Sequence, residues 1–343
     1  MEPVTLSPTV VDTGDYHRRA AAAGVVGRWS TANENLPWKP EPRSVAHHWS
    51  YGTLRPLAVE ATRFVRGENG ALRVLTLLNP GHPDHEAAAG NLYSGLQVLV
   101  PGEDMHSHRH SPTAIRFVHE SEGGWTAVDG EKNYLDAGDV VLTPAMLWHE
   151  HGNDGTDEVV WQDCTDDPLV TVLAANHFEL FPTRSHLAGA HDTGAAGVLR
   201  PSHGTHPAGA LHYPWAKTRA QLARADVATR GWAELRLTDV TGRHDVSRTT
   251  AARFLAVAPH ARTPSHQHTG AVVLIVAKGS PTVHVEDVAH AAAQGDTVAV
   301  PSWSRWRIDN PAEEDCVLFA YDETPLLRNT GLYRNAAQEE ASP

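Results

Sequence analysis

The chain has 343 residues, 28 basic and 41 acidic side chains, a formal net charge of −13, and two cysteines, Cys164 and Cys316. That balance, with no Lys/Arg block, gives no electrostatic footprint for nucleic acid, and two cysteines make neither a disulfide framework nor a Cys-x-x-Cys metal pair. No run of about 18 apolar residues is present to cross a membrane, and the start, Met1-Glu2-Pro3-Val4, has no basic-then-apolar leader, so a cytoplasmic protein with reduced cysteines is expected.

In chain order, residues 1–70 carry Trp29, Trp38 and Trp49 among Pro and Asn with little periodicity. They predict an N-terminal arm with a short helix over residues 16–25, packing on the domain that follows. Residues 71–185 change to short β-rich runs, at 72–78, 96–100, 115–118, 124–128, 140–143 and 159–163. Asn79-Pro80-Gly81, Asp129-Gly130 and Asp154-Gly155 punctuate them. Many short strands at this spacing predict a jelly-roll barrel. Residues 186–245 read as a linker, with a helix over 213–225 that has Pro214 near its start. A second β-rich series fills residues 246–335, with runs at 252–258, 272–276, 282–285, 297–300 and 317–321, and residues 336–343 are left as a tail. The fold class expected is therefore all-β, two barrels joined by a helical linker.

The chemistry concentrates in two stretches. The first holds Gly102, His108 and His110; the second, about forty residues on, holds Gly138, Pro144, His149 and Asn153. Alternate residues of a strand share a face, so His108 and His110 project together, and His149 reaches them from another strand. Three neutral imidazoles suit a divalent first-row metal, and the lack of a fourth protein ligand keeps positions open for substrate.

These spacings are similar to the paired motifs of the cupin superfamily. The general cupin pattern has a Glu ligand shortly after the second His, where this chain has Ala114 and Ile115. That departure argues against a four-ligand manganese site and for a three-His iron site. His266 and His268, then Gly295, Pro301 and Asn310, repeat the landmarks of the first half, which makes the chain a bicupin. Trp306 stands in the repeat where His149 stands in the first half, so the second barrel is expected to be empty or structural.

Other residues near the motifs carry two readings each. His151 shares the face of His149 and is either a further ligand or a hydrogen-bonding, acid–base group. His106 has the same parity but sits at the strand entrance and is taken as ordinary. Arg116 lies in the apolar run Ala114-Ile115-Arg116-Phe117-Val118, where a buried guanidinium requires an anion: a substrate carboxylate, or a structural partner. Gln97 and Asp163 interrupt strand-like runs, and Tyr93 is pocket wall or ordinary core.

The wording around the motifs is more specific. Asn91-Leu92-Tyr93-Ser94-Gly95-Leu96-Gln97, then His108-Arg109-His110-Ser111-Pro112, then Trp148-His149-Glu150-His151-Gly152-Asn153, closely resembles gentisate 1,2-dioxygenase and its salicylate and 1-hydroxy-2-naphthoate relatives. Echoes at Tyr51-Gly52-Thr53-Leu54 and Gly331-Leu332-Tyr333-Arg334 extend the likeness over about residues 45 to 335. The resemblance implies a bicupin homotetramer that uses Fe(II) and O2 to open a small aromatic hydroxy acid between its carboxyl- and hydroxyl-bearing carbons. It implies iron on His108, His110 and His149, catalytic roles for His151, Arg116 and Asp163, and substrate contacts from Arg116, Gln97, Tyr93 and His151. Which ring substituents are accepted stays open. Two other readings remain: a three-His cupin dioxygenase acting on a diketone or thiol, and a non-catalytic bicupin binding protein.

Overall fold

The computed structural model describes residues 14–30, 37, 39–66, 73–187, 212–225, 227–238 and 243–336; Trp38, residue 72, much of the linker and most of the tail lie outside them. Residues 1–41 form a unit of their own, in which a helix, Gly14–Ala22, is followed by a 3-10 turn at Arg28–Ser30. The helix ends three residues before the expected end at Val25 because Gly24 turns to positive φ (72°), and Val25 N–H returns to Ala20 O at 2.9 Å, a glycine-terminated helix end.

Residues 42–343 form the second unit. Its first half is a barrel of two antiparallel sheets. One sheet runs in the order His212–Tyr213, Val140–Thr143, Ala114–Glu120, Val159–Thr165, Tyr93–Leu99, Val74–Thr76; the other runs Phe178–Leu180, His108–His110, His149–Asn153, Gly124–Val128, Glu131–Tyr134. The second half repeats this with His47–Trp49, Thr297–Val300, Val272–Lys278, Cys316–Asp322, Ala251–Val257, Trp232–Arg236 in its large sheet and Val288–Ala291, Thr282–Val285, Trp306–Asp309 in its small one. Each central strand alternates between two buried faces, one toward its own barrel and one toward the neighbour. Ile115, Phe117 and Leu142 of the first sheet join Phe254, Ile275 and Phe319 of the second in one apolar core, with Phe117 and Phe319 stacked 5.4 Å apart. The two large sheets therefore pack back to back, and burial of these side chains holds the halves together.

The duplication reaches beyond the barrels. His47–Trp49 leads into a helix, Tyr51–Ala61, and His212–Tyr213 leads into a helix, Trp215–Arg224. Asp296 accepts from Tyr51 N (2.8 Å) and faces His48 Nε2 (2.8 Å); Asp139 does the same for Trp215 N (2.6 Å) and His212 Nε2 (2.7 Å). The glycines just before these aspartates, Gly138 and Gly295, both have φ +89°, and a Cβ on either would lie 2.6 Å from the ring of Trp215 or Tyr51. Only glycine fits there. Each strand–helix unit adds its strand to one barrel and lays its helix on the other: Ala58 packs with Leu96 and Val98 of the first barrel, and Trp215 packs against Phe254 of the second.

Candidate metal centre and substrate pocket

His108 and His149 sit directly opposite each other on paired strands, and His110 is two residues further along the first strand. Their ligand atoms all lie within 4.8 Å of one another. Each Nδ1 is 2.8 Å from a main-chain carbonyl: His108 to His106 O, His110 to Pro112 O, His149 to Leu147 O. A carbonyl can only accept, so each Nδ1 carries the proton and each Nε2 presents a lone pair. Burial pushes His110 down to about 4, with His108 and the Arg116 cation disfavouring a further charge beside them; burial with Arg116 does the same to His108, and His149 falls further. All three are neutral at neutral pH. The fully buried Nε2 of His149 has no hydrogen-bond partner among the described residues, and a metal bond is what would satisfy it.

His151 Nδ1 lies 2.9 Å from Thr126 Oγ1, across directly paired positions, while its buried Nε2 has no partner among the described residues. Its ring is 6.1 Å from that of His108 and 5.5 Å from that of Trp161. Burial, with Arg116 next, holds it well below the usual histidine range. It stands beside the three-imidazole cluster and outside it.

Arg116 finds its anion within the chain. Its Nε is 2.6 Å from Asp163 Oδ1, and its Nη1 donates to Thr143 Oγ1 at 3.0 Å. Gly95, Asp163 and Arg116 form one row across three strands, so these side chains share the inner face with Tyr93 and Gln97. Gln97 Oε1 accepts from Trp161 Nε1 at 2.8 Å, and Arg116 Cζ is 5.8 Å from the Trp161 ring. Gln97 thus reaches Arg116 through Trp161. Tyr93 OH lies 3.1 Å from Thr76 Oγ1, with its ring over Gly95, where a Cβ would come 2.5 Å from that hydroxyl.

The sequence reading did not single out Thr126, Thr143 or Trp161, nor the carbonyls of His106, Pro112 and Leu147. Trp161 carries a usable signal, since it alternates with Asp163. Threonines in strands and main-chain oxygens carry none. His106, taken as ordinary, has its ring on Phe181 O at 2.9 Å while its carbonyl orients His108.

Register fixes the matching positions in the second barrel. Leu274 and Ala320 pair as Arg116 and Asp163 do, and Leu255 and Leu318 pair as Gln97 and Trp161 do. Trp306 and Ile308 take the places of His149 and His151. All six belong to one buried apolar cluster, and His266 lies flat against Trp306 with ring centroids 4.5 Å apart. Hydrocarbon takes these six places, while Arg253, at the position matching Gly95, forms a buried ion pair with Asp322 at the position matching Thr165.

Two back-to-back jelly rolls, one lined by three converging imidazoles and a buried arginine, define a bicupin. The cupin domain family matches at residues 95–166 and 253–321. A gentisate 1,2-dioxygenase from Ralstonia sp. is 33% identical over 337 residues, 94% of this chain and 93% of that protein. The 1-hydroxy-2-naphthoate 1,2-dioxygenase of Nocardioides sp. (strain KP7) is 31% identical over 333 residues, 92% of this chain and 86% of that protein. Salicylate 1,2-dioxygenase from Pseudoaminobacter salicylatoxidans, solved as an adduct with gentisate, superposes with a TM-score of 0.85 at 27% identity, covering 97% of this chain and 96% of that one. The chain belongs to the gentisate, salicylate and 1-hydroxy-2-naphthoate dioxygenase family, and is a ring-cleaving dioxygenase.

Proposed function

We propose that the first barrel holds one Fe(II) on His108, His110 and His149 and opens a monocyclic 2-hydroxybenzoate of the gentisate or salicylate type, with bicyclic naphthoates second. The observation that carries this reading is the convergence of three neutral imidazoles from one sheet and the Arg116 cation from the other on one buried interior. When bound, the iron supplies the redox chemistry that activates O2 toward the ring. The chain's own residues do the rest. Arg116 orients the substrate carboxylate and offsets its charge, while Asp163 and Thr143 keep the guanidinium from swinging. His151, neutral and held at Nδ1 by Thr126, takes the phenolic proton at Nε2. Trp161, fixed by Gln97, walls the ring, and Tyr93 borders it beyond Gly95.

The same reading makes the protein a cytoplasmic homo-oligomer, tetrameric by resemblance to its family. Val172, Leu173, Phe178 and Leu180, all more than half exposed around an edge strand, support association; the buried free Cys164 and Cys316 suit a reducing compartment.

The test is metal analysis of the purified protein, then O2 uptake by the Fe(II)-loaded form with a panel of hydroxybenzoates. Ring absorbance should fall, and mass detection should find a product heavier by one O2, for gentisate or salicylate. The 3- and 4-hydroxybenzoates should be inert because their two oxygen groups cannot both reach one metal. Catechol lacks a carboxylate for Arg116 and should turn over poorly. Iron-replete protein that opens none of the ortho-hydroxy acids would overturn the substrate class.

A further inference from the structure

On the reading that His110 is a metal ligand, we propose that Asp166 is a positioning residue for that ligand and that the second barrel completes it through Thr249. Asp166 follows the strand Val159–Thr165 and is 5% exposed. Its Oδ1 accepts from Thr113 N at 2.8 Å, and its Oδ2 accepts from Thr249 Oγ1 at 2.5 Å. Thr113 N–H belongs to the same peptide unit as Pro112 C=O, the acceptor for His110 Nδ1 at 2.8 Å. A peptide unit is planar, with its N–H and C=O on opposite edges. Asp166 therefore grips one edge of the plane whose other edge aims the imidazole. Rotating that plane to free Thr113 would also turn the Pro112 carbonyl away from His110. A carboxylate on the N–H also polarises the peptide and strengthens its carbonyl as an acceptor.

The second half contains the same clasp without the imidazole. Glu323 stands at the position matching Asp166, since Asp322 pairs with Ala251 and Val272 as Thr165 pairs with Tyr93 and Ala114. Its Oε2 accepts from Ala271 N at 2.8 Å and its Oε1 from Asn91 N at 3.0 Å, and these two residues match Thr113 and Thr249. His268 Nδ1, however, is directed to Thr269 O at 2.9 Å rather than to the carbonyl of the clasped peptide, that of Gly270. Each half thus grips the other through a buried carboxylate, and in the first half alone the grip runs on to a histidine of the metal face. The second barrel acts in this way on a site it does not contain.

The experiment titrates the full-length metal-free protein with Co(II), following its ligand-field absorption, and with Fe(II) under anaerobic conditions against a chelator. Asp166→Ala should weaken metal binding roughly ten- to hundred-fold, the range usual for groups that orient a ligand, and should shift the Co(II) bands. Asp166→Asn, whose carbonyl still accepts from Thr113 and whose amide can donate to Thr249, should restore most of the affinity. Glu323→Ala is the control: it should lower the melting temperature as Asp166→Ala does, with metal affinity at the wild-type level. Wild-type affinity and spectrum in Asp166→Ala overturn the proposal, and so does an equal loss in Glu323→Ala, which would mean general loosening. Should Asp166→Ala fail to fold, Thr249→Val carries the test: weaker metal binding at unchanged secondary structure supports the proposal, and unchanged affinity overturns it. A wild-type chain that takes up neither metal removes the metal centre itself, and this proposal with it.

Discussion

Arg116 Nε and Asp163 Oδ1 lie 2.6 Å apart across directly paired strand positions, with both side chains almost fully enclosed. The guanidinium is therefore neutralised before any substrate arrives. Burial raises the Asp163 carboxyl above the usual carboxylate range, and Arg116 opposes that rise. Two roles thus share one pair, structural through Asp163 and functional through the substrate carboxylate, and a double variant separates them. Asp163→Asn leaves a buried cation without its anion and should destabilise the fold by about 3–5 kcal/mol. Arg116→Met should keep its metal but lose a charged hydrogen bond to the substrate, a loss of about 2–5 kcal/mol or roughly 30- to 4,000-fold in kcat/KM. The double variant should recover stability without recovering turnover. Melting temperature and kcat/KM measured on the same preparations check this, and recovered turnover would show that Arg116 serves only Asp163.

Substituting His108, His110 or His149 by Ala should each abolish metal binding, because two imidazoles and water make a far weaker site. Changing His266 and His268 together should leave the metal content at one per chain. Trp306 is 2% exposed in the apolar cluster of the second barrel, so Trp306→Ala should lower stability by about 3–5 kcal/mol through the cavity it opens, again with unchanged metal. Stoichiometric metal surviving the loss of His149 would remove the three-imidazole assignment.

The metal face was legible because it rests on two short-range rules: period two along a strand places His108 with His110, and a repeated spacing marks Trp306 as the substitute for His149. The central strands of the large sheets were legible from their apolar runs, with bounds off by up to three residues; Tyr93–Leu99 begins three residues before its predicted run and Val159–Thr165 ends two residues past it. What escaped depends on distant pairing. His47–Trp49 reads as part of an irregular arm until it meets Ala299, some 250 positions away. The helix Tyr51–Ala61 has Pro56 inside it and only a weak apolar stripe, so its place is set by packing on Leu96 and Val98. That Arg116 would find Asp163 required the register of two strands more than forty residues apart, and Asp163 alone reads only as a polar interruption. Thr126, Thr143 and the three orienting carbonyls have no pattern in a sequence, because threonine is ordinary in strands and every residue has a carbonyl.

The seam between the barrels gives a last prediction. The His119 ring stacks on Tyr51 at 4.6 Å and meets the Phe117 edge at 5.2 Å, and its Nε2 lies 2.9 Å from Gln162 Oε1. Burial lowers its pKa from 6.5 to about 4, against an opposing pull from the Gln162 hydrogen bond. The unfolded chain therefore binds a proton at this residue near pH 6.5, while the folded chain resists until about pH 4. Stability from the neutral ring is fully present above pH 6.5 and is drawn down as pH falls toward 4. His119→Gln cannot titrate, so it should melt below the wild type at pH 7 through lost stacking, and the gap between the two should narrow steadily from pH 6.5 to 4. Metal-free protein must be used, so that proton competition at the ligands does not enter; the other buried histidines titrate alike in both proteins and cancel in the difference. Melting curves at half-unit pH steps check this, and a gap that stays constant or widens on acidification would mean that the folded seam takes up the His119 proton at least as readily as the unfolded chain.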